Sequence, residues 1–255
     1  MAIKIIGTGH VLKKSVDEVR EEILKGNYDI VCVELDKERF EILKSNDLKF
    51  EKFKFSFKFF LNPSDIMRYI LWNIQKEIGK KLNVFPGSEM KEAISLAEER
   101  NLKIFLIDRD IRITMNHLMN IPLKEKIKML SFDKKNFEDI NIDEILEEKN
   151  LNLILKEIKK FPNFYDSLID ERDIYMTINL YNIQMKFPNS NILAIVGAGH
   201  KEGIERYLKE LNENKKFNIE KILKFRKIHL HKKIENLIFA IGLLLIFLGL
   251  KIFEK

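Results

Sequence analysis

One cysteine, one tryptophan, five prolines and ten glycines among 255 residues remove several classes of protein at once. A lone cysteine cannot build a disulfide framework or a thiolate zinc site. Cys32 falls inside an apolar run, as a core residue of a protein kept in a reducing cytoplasm. So little proline and glycine excludes collagen-like and low-complexity chains. Neither sign of charge dominates: 45 basic residues stand against 39 acidic ones, a formal charge of +6. A mixed surface of this kind gives no argument for nucleic acid. No secretory leader is expected, because the N-terminus enters a strand directly. What remains, 45% apolar and 33% charged, is the composition of a folded chain long enough for a sizeable core.

Two short Gly-x-x-His motifs stand out, Gly7-Thr8-Gly9-His10 and Gly197-Ala198-Gly199-His200. Each follows an apolar run with the character of a buried strand, 3–6 and 192–196. The glycines are expected to turn the backbone at φ values other residues avoid, presenting each imidazole where its strand stops. Ser15 with Glu18 has capping-box spacing and predicts a helix to about Lys25. The run 28–36 predicts a central parallel strand ending in Glu34. A helix from Arg39 to Lys44 follows, so the chain opens as a βαβ unit. Phe53, Phe55, Phe57 and Phe59 alternate with polar residues, which predicts an extended amphipathic segment, and a helix is expected over 64–81. Pro86-Gly87-Ser88-Glu89 turns into a helix ending near Arg100. The strand 103–107 then stops at Asp108-Arg109-Asp110. Residues 114–187 predict several helices and no strand, punctuated by Pro122, Pro162 and Pro188. Glu171-Arg172-Asp173 opens a helix that returns to the last strand.

Parallel strands share one carboxyl edge, where open α/β folds bind ligands. Here that edge carries His10, Glu34, Asp108, Arg109 and His200. Two imidazoles and a carboxylate can hold a divalent ion with one position open to water. Alternatively, a histidine acts as general base without metal, oriented by Glu34. The arginines would bind a carboxylate or phosphate, or steady an oxyanion. A plainer outcome is a buried Glu34–Arg109 ion pair.

The domain is expected to close near residue 218, followed by a basic linker over 219–233 and an apolar helix over 234–253. The uncharged run Leu237 to Leu250 has 14 residues, short of the roughly 20 needed to span. With Lys233 and Lys251 snorkelling, it is expected to serve as a single C-terminal membrane anchor, contacting lipid, with the domain on the cytoplasmic side. Gly242 and Gly249 on such a helix would favour a homo-oligomer.

Taken in order, Gly7-Thr8-Gly9-His10, Val33-Glu34-Leu35-Asp36 with Arg39, and Pro86-Gly87-Ser88-Glu89-Met90 form the first half of a pattern. Asp108-Arg109-Asp110-Ile111 with Thr114, Glu171-Arg172-Asp173 with Met176, and Gly197-Ala198-Gly199-His200 with Gly203-Ile204 complete it. The set resembles the TraB/PrgY/GumN family of pheromone-shutdown proteins, itself similar to Tiki metalloproteases and erythromycin-esterase-like folds. The resemblance implies an α/β fold with a mostly parallel central sheet flanked by helices and a helical insertion. It implies a metal-dependent, peptidase-like hydrolase, or else a protein that sequesters a peptide or small ligand in the same cleft. Under it, His10, Glu34 and His200 would hold a divalent ion (Mn, Co or Zn), and Arg109 and Arg172 would join them in catalysis. Arg39, Glu89, Asp108, Glu171 and Asp173 would contact substrate. His117 departs from the family, standing where many members carry arginine.

Overall fold

The computed structural model describes residues 3–9, 13–44, 87–130 and 155–253. His10, the alternating phenylalanines, the helix expected over 64–81 and part of the helical region at 131–154 lie outside them. Four strands, β1 (Ile3–Thr8), β2 (Ile30–Val33), β3 (Lys103–Leu106) and β4 (Ile192–Gly197), form one parallel sheet in the order β1-β4-β2-β3. Helices fill the connections: α1 (Lys13–Lys25), α2 (Lys37–Lys44), α3 (Ser88–Glu99), α4 (Ile111–Met119), α5 (Leu123–Leu130) and α6 (Pro162–Tyr165). A π-helical turn, Asp166–Asp170, then leads directly into α7 (Glu171–Lys186). After β4 come α8 (Ala198–Asn212), α9 (Ile219–Leu223) and α10 (Leu230–Phe253).

The strands are short and unbroken in their apolarity because both sheet faces are covered. Val31, Val33, Leu193 and Ile195 meet Val19 and Ile23 of α1 and Ala93, Ile94 and Ala97 of α3. Their neighbours Ile30, Cys32, Ile192, Ala194 and Val196 face the other way, against Met176, Leu180 and Ile183 of α7 and Ile204 of α8. Period-two alternation thus sorts one apolar run into two cores. Cys32 is the core residue it was expected to be, its thiol pushed up to about 12 by burial.

Two local expectations need correction. Ser15 does not open its helix; α1 begins two residues earlier, and the Ser15 hydroxyl accepts from the Gly9 N–H at 3.0 Å, tying helix to strand end. Nor do the motif glycines serve unusual dihedrals. Among the described residues Gly87, at φ 82°, is the one glycine in the left-handed region; Gly197 has φ −59° and ψ 141°. At Gly7 the constraint is space: a Cβ there would stand 3.1 Å from the Ala198 Cα, a tight approach where β1 passes the start of α8.

The expected C-terminal membrane anchor, with its domain facing the cytoplasm, is also corrected. Among the described residues no helix is long and apolar enough to cross a membrane. α10 begins as a docked helix instead. Asn236 is buried, its amide donating to the Met119 carbonyl at 2.8 Å and its oxygen accepting from the Lys126 ammonium. Ala240, one turn on, is fully buried. The uncharged run beyond Asn236 covers about 21 Å at 1.5 Å per residue, well under the roughly 30 Å of a bilayer core.

Candidate functional site

The sheet assembles the site through register. Gly7 pairs with Val196 and Thr8 with Gly197, so both Gly-x-x-His motifs start side by side at neighbouring strand ends. On the other flank of β4, the ladder continues past β2: Glu34 N–H donates to Ile195 O at 3.1 Å, and Ile107 N–H to Val33 O at 3.1 Å. Glu34 and Asp108 are thereby fixed on the same carboxyl edge. α7 supplies Arg172 and Asp173 from its first turn, and α8 supplies His200 from its own.

Arg172 is the hub of what results. Its Nε donates to Asp108 Oδ1 at 3.1 Å and its Nη2 to Asp108 Oδ2 at 2.7 Å and to Glu34 Oε1. Its Nη1 donates to Leu168 O and, at 3.0 Å, to His200 Nε2. Burial would lower the arginine's proton affinity, but Asp108 and Glu34 outweigh it and raise it. Burial likewise pushes the Asp108 carboxyl up, while Arg172 and Arg39 pull it well below the usual carboxylate range. The second oxygen of Glu34 accepts from the Gly197 N–H at 2.6 Å, at the start of α8, where an anion is favoured by the helix dipole.

His200 is oriented from its far side. Nδ1 lies 2.5 Å from Asp173 Oδ1. Because a guanidinium only donates, Nε2 must be the acceptor and Nδ1 the protonated nitrogen. The Nε2 lone pair is thus taken by the Arg172 N–H, with Glu34 Oε1 3.4 Å from the same nitrogen. Burial raises the Asp173 carboxyl to about 6, a rise that His200 partly offsets. Its second oxygen has no hydrogen-bond partner and lies against Gly203 of α8. A Cβ on Gly203 would fall 1.9 Å from that oxygen. Gly203→Ala is therefore expected to displace Asp173 or part the helices, lowering stability by about 1–3 kcal/mol, as thermal melts would show. A loss under about 0.5 kcal/mol would mean that the packing yields freely.

The remaining expected residues divide. Arg39 belongs to the cluster, bridging Asp108 and Asp36, while Asp36 accepts from the Arg39 and Ile111 backbone N–H groups at 2.8 and 3.1 Å. Glu89 is buried in the first turn of α3. Arg109 and Glu171 turn away from the edge. The expected Glu34–Arg109 pair does not form, because alternation along the chain sends residue 109 into the helical layer. There Arg109 Nη1 donates to Glu171 Oε2 at 2.9 Å, Nε to the Thr114 hydroxyl and Nη2 to Ser167 O. His117 joins them, Nδ1 2.5 Å from Glu171 Oε2. Sequence reasoning assigned His117 no contact. Its spacing eight residues after Arg109, directly before the apolar Leu118-Met119, was the available signal.

A divalent ion would need His200 Nε2 and Glu34 Oε1 together. Their 3.4 Å separation suits two ligands about 2.1 Å from one ion. Yet both atoms accept from Arg172, whose buried positive charge would adjoin the metal. Among the described residues no group of three histidine, cysteine, aspartate or glutamate side chains could hold one. With Arg172 so placed, Glu34 and His200 by themselves do not fit a metal ion; His10, the third expected ligand, lies outside the described residues. Beside the cluster an open cleft of about 480 Å³ is lined by Asp36, Glu41, Asp108, Asp110 and Arg112, among others.

The chain is similar over most of its length to other proteins. The TraB/PrgY/gumN family model matches residues 2–221. An uncharacterized protein of Methanocaldococcus jannaschii is 38% identical over 237 residues, 88% of this chain and 58% of its own length. TraB domain-containing proteins of Bos taurus and Homo sapiens are 25% and 24% identical, over 80% and 87% of this chain and 62% and 65% of theirs. The chain thus spans about 60% of the length of these curated relatives. With a match that runs from the first strand through α9, and with Glu34, Asp108, Arg172 and His200 gathered on one sheet edge, the chain belongs to the TraB/PrgY/gumN family.

Proposed function

We propose that the chain is a peptidase-like hydrolase in which His200, held by Asp173, is the general base. The observation that carries this is the tautomer set by the two contacts of His200: Nδ1–H toward Asp173, and Nε2 as the acceptor, bonded by Arg172. A buried carboxylate behind an imidazole fixes its orientation and stabilises the imidazolium formed when it takes a proton. Water entering at Nε2 takes the place of the Arg172 N–H. The displaced guanidinium then stands within reach of the carbonyl under attack and can hold its developing negative charge. Arg39, bound to Asp108, would anchor a substrate carboxylate at the mouth.

The test is hydrolysis of a mixed peptide and ester library by the full chain and by His200→Ala. A fall of about 10³-fold or more in kcat/KM is expected, and equal rates in the two proteins would end the proposal. Parallel assays with Mn, Co or Zn ions and with a chelator are included. Turnover that depends on an added ion would mean that Arg172 gives up its place to the metal.

A second class of function has one observation in its favour. The 480 Å³ cleft opens on Asp36 and Asp108, whereas His200 itself is almost wholly buried. A protein that only sequesters a peptide or small ligand would use that cleft and need no exposed base. Saturable binding without turnover, unchanged in His200→Ala, would identify it.

A further inference from the structure

Behind the cluster, the chain's own C-terminal segment lies in a groove that reads it as a peptide. Arg109 Nη1 donates to Ile222 O at 3.0 Å, and His117 Nε2 lies 2.9 Å from Lys224 O. Asn116 pairs with both backbone groups of Arg226, donating to its carbonyl at 3.0 Å and accepting from its N–H at 2.7 Å. The Ile222 carbonyl belongs to the last turn of α9, and the Lys224 and Arg226 contacts to the chain that leaves it. All four bonds go to backbone atoms, so they are indifferent to the side chains carried. Two further contacts are selective. Ile222 is buried, and the Arg226 guanidinium donates to Glu171 Oε1 at 2.6 Å.

The segment is the last turn of α9 and the start of the non-regular chain 224–229 that follows it, and residues 213–218 before α9 are non-regular as well. It resembles a ligand on a tether more than a strand of the core. We propose that the groove formed by α4, the π-helical turn and Glu171 is a peptide-binding surface, filled in cis by Ile222–Arg226. Its partner is a peptide carrying an apolar residue followed, four positions later, by arginine, with a helical turn ending just after the apolar residue. The groove adjoins the candidate site in sequence: Arg109 follows Asp108, and Glu171 precedes Arg172. Occupancy therefore steadies the two residues that hold the cluster. The binding test reads no turnover, so its result is independent of the hydrolase proposal.

A fluorescein-labelled peptide of residues 218–229 is titrated, by polarisation, into the full wild-type chain and into Arg226→Ala. A tethered segment competes at an effective concentration of about millimolar. Wild type is therefore expected to bind the peptide at least roughly tenfold more weakly than Arg226→Ala. The same peptide carrying Arg226→Ala should bind that variant at least roughly tenfold more weakly than the native peptide, for lack of the Glu171 contact. Adding Asn116→Ala to the protein should weaken it further. If Arg226→Ala melts like wild type yet binds no peptide, or binds the two peptides alike, the segment is an inseparable part of the fold and the proposal is overturned. Should Arg226→Ala fail to fold, Arg226→Lys, which keeps the charge but not the fork, is judged by the same comparison.

Discussion

Asp173→Asn is expected to stabilise the protein while abolishing its chemistry. The carboxyl sits at about 6 in the folded chain against roughly 3.9 unfolded. A buried acid with a raised value is ionised at a cost, so its contribution to stability worsens as pH rises between about 4 and 6 and is fully adverse above that window. The amide removes this cost. At pH 7.5 it should gain on the order of 1–3 kcal/mol, a gain that disappears near pH 4, where both states of the wild-type acid are protonated. Turnover should move the opposite way. An amide cannot stabilise the imidazolium of His200, and its orientation can invert the tautomer; the loss should approach 10³–10⁴-fold in kcat. Wild-type activity should rise with pH through about 6 as Asp173 ionises. Melting curves at pH 4 and 7.5, set beside rates, check both halves. A variant that is destabilised at pH 7.5 would show that Asp173 is a structural anchor instead.

Arg172→Met should cause the largest loss of stability among single changes at the site. The substitute keeps an unbranched apolar stem but leaves Glu34 and Asp108, both buried, without the cation that joins them. Uncompensated buried charge of this kind costs about 3–5 kcal/mol. Because Asp108 is held below the ordinary carboxylate range chiefly by Arg172 and Arg39, its wild-type contribution is present above about pH 4 and is lost as pH falls below that. The penalty of Arg172→Met should therefore shrink on acidification, as the stranded carboxylates protonate. Urea titrations at pH 7 and pH 4 measure this. A pH-independent penalty would show that packing, not charge, is what Arg172 supplies.

Much of this arrangement is written in local chemistry. The four strands are legible because each is an apolar run followed by a polar residue, and the carboxyl edge follows from parallel pairing. Glu34, Asp108 and His200 were expected together and stand together. The partners are less legible. Arg109 and Arg172 carry the same charge and both adjoin an acid, and only the handedness of the chain at each position decides which faces the edge. Asp173 looks like any first-turn acid of a helix; its pairing with His200 depends on Gly203 leaving room, a contact across thirty residues. The π-helical turn at Asp166–Asp170, which sets the phase of Arg172 and Asp173, has no pattern of its own in the sequence. His10, the other motif histidine, lies outside the described residues.

The order of the sheet has a consequence for how the molecule comes into being on the ribosome. β4, made after nearly two hundred residues, is the strand that sits between β1 and β2. Until it emerges, the first strand has no strand neighbour among the described residues, and its two earlier companions present a bare edge to other nascent chains. Such long-range closure makes for slow assembly. It also means that the carboxyl edge is the last thing to exist: no fragment ending before Ile192 can own any part of it beyond scattered acids and two arginines.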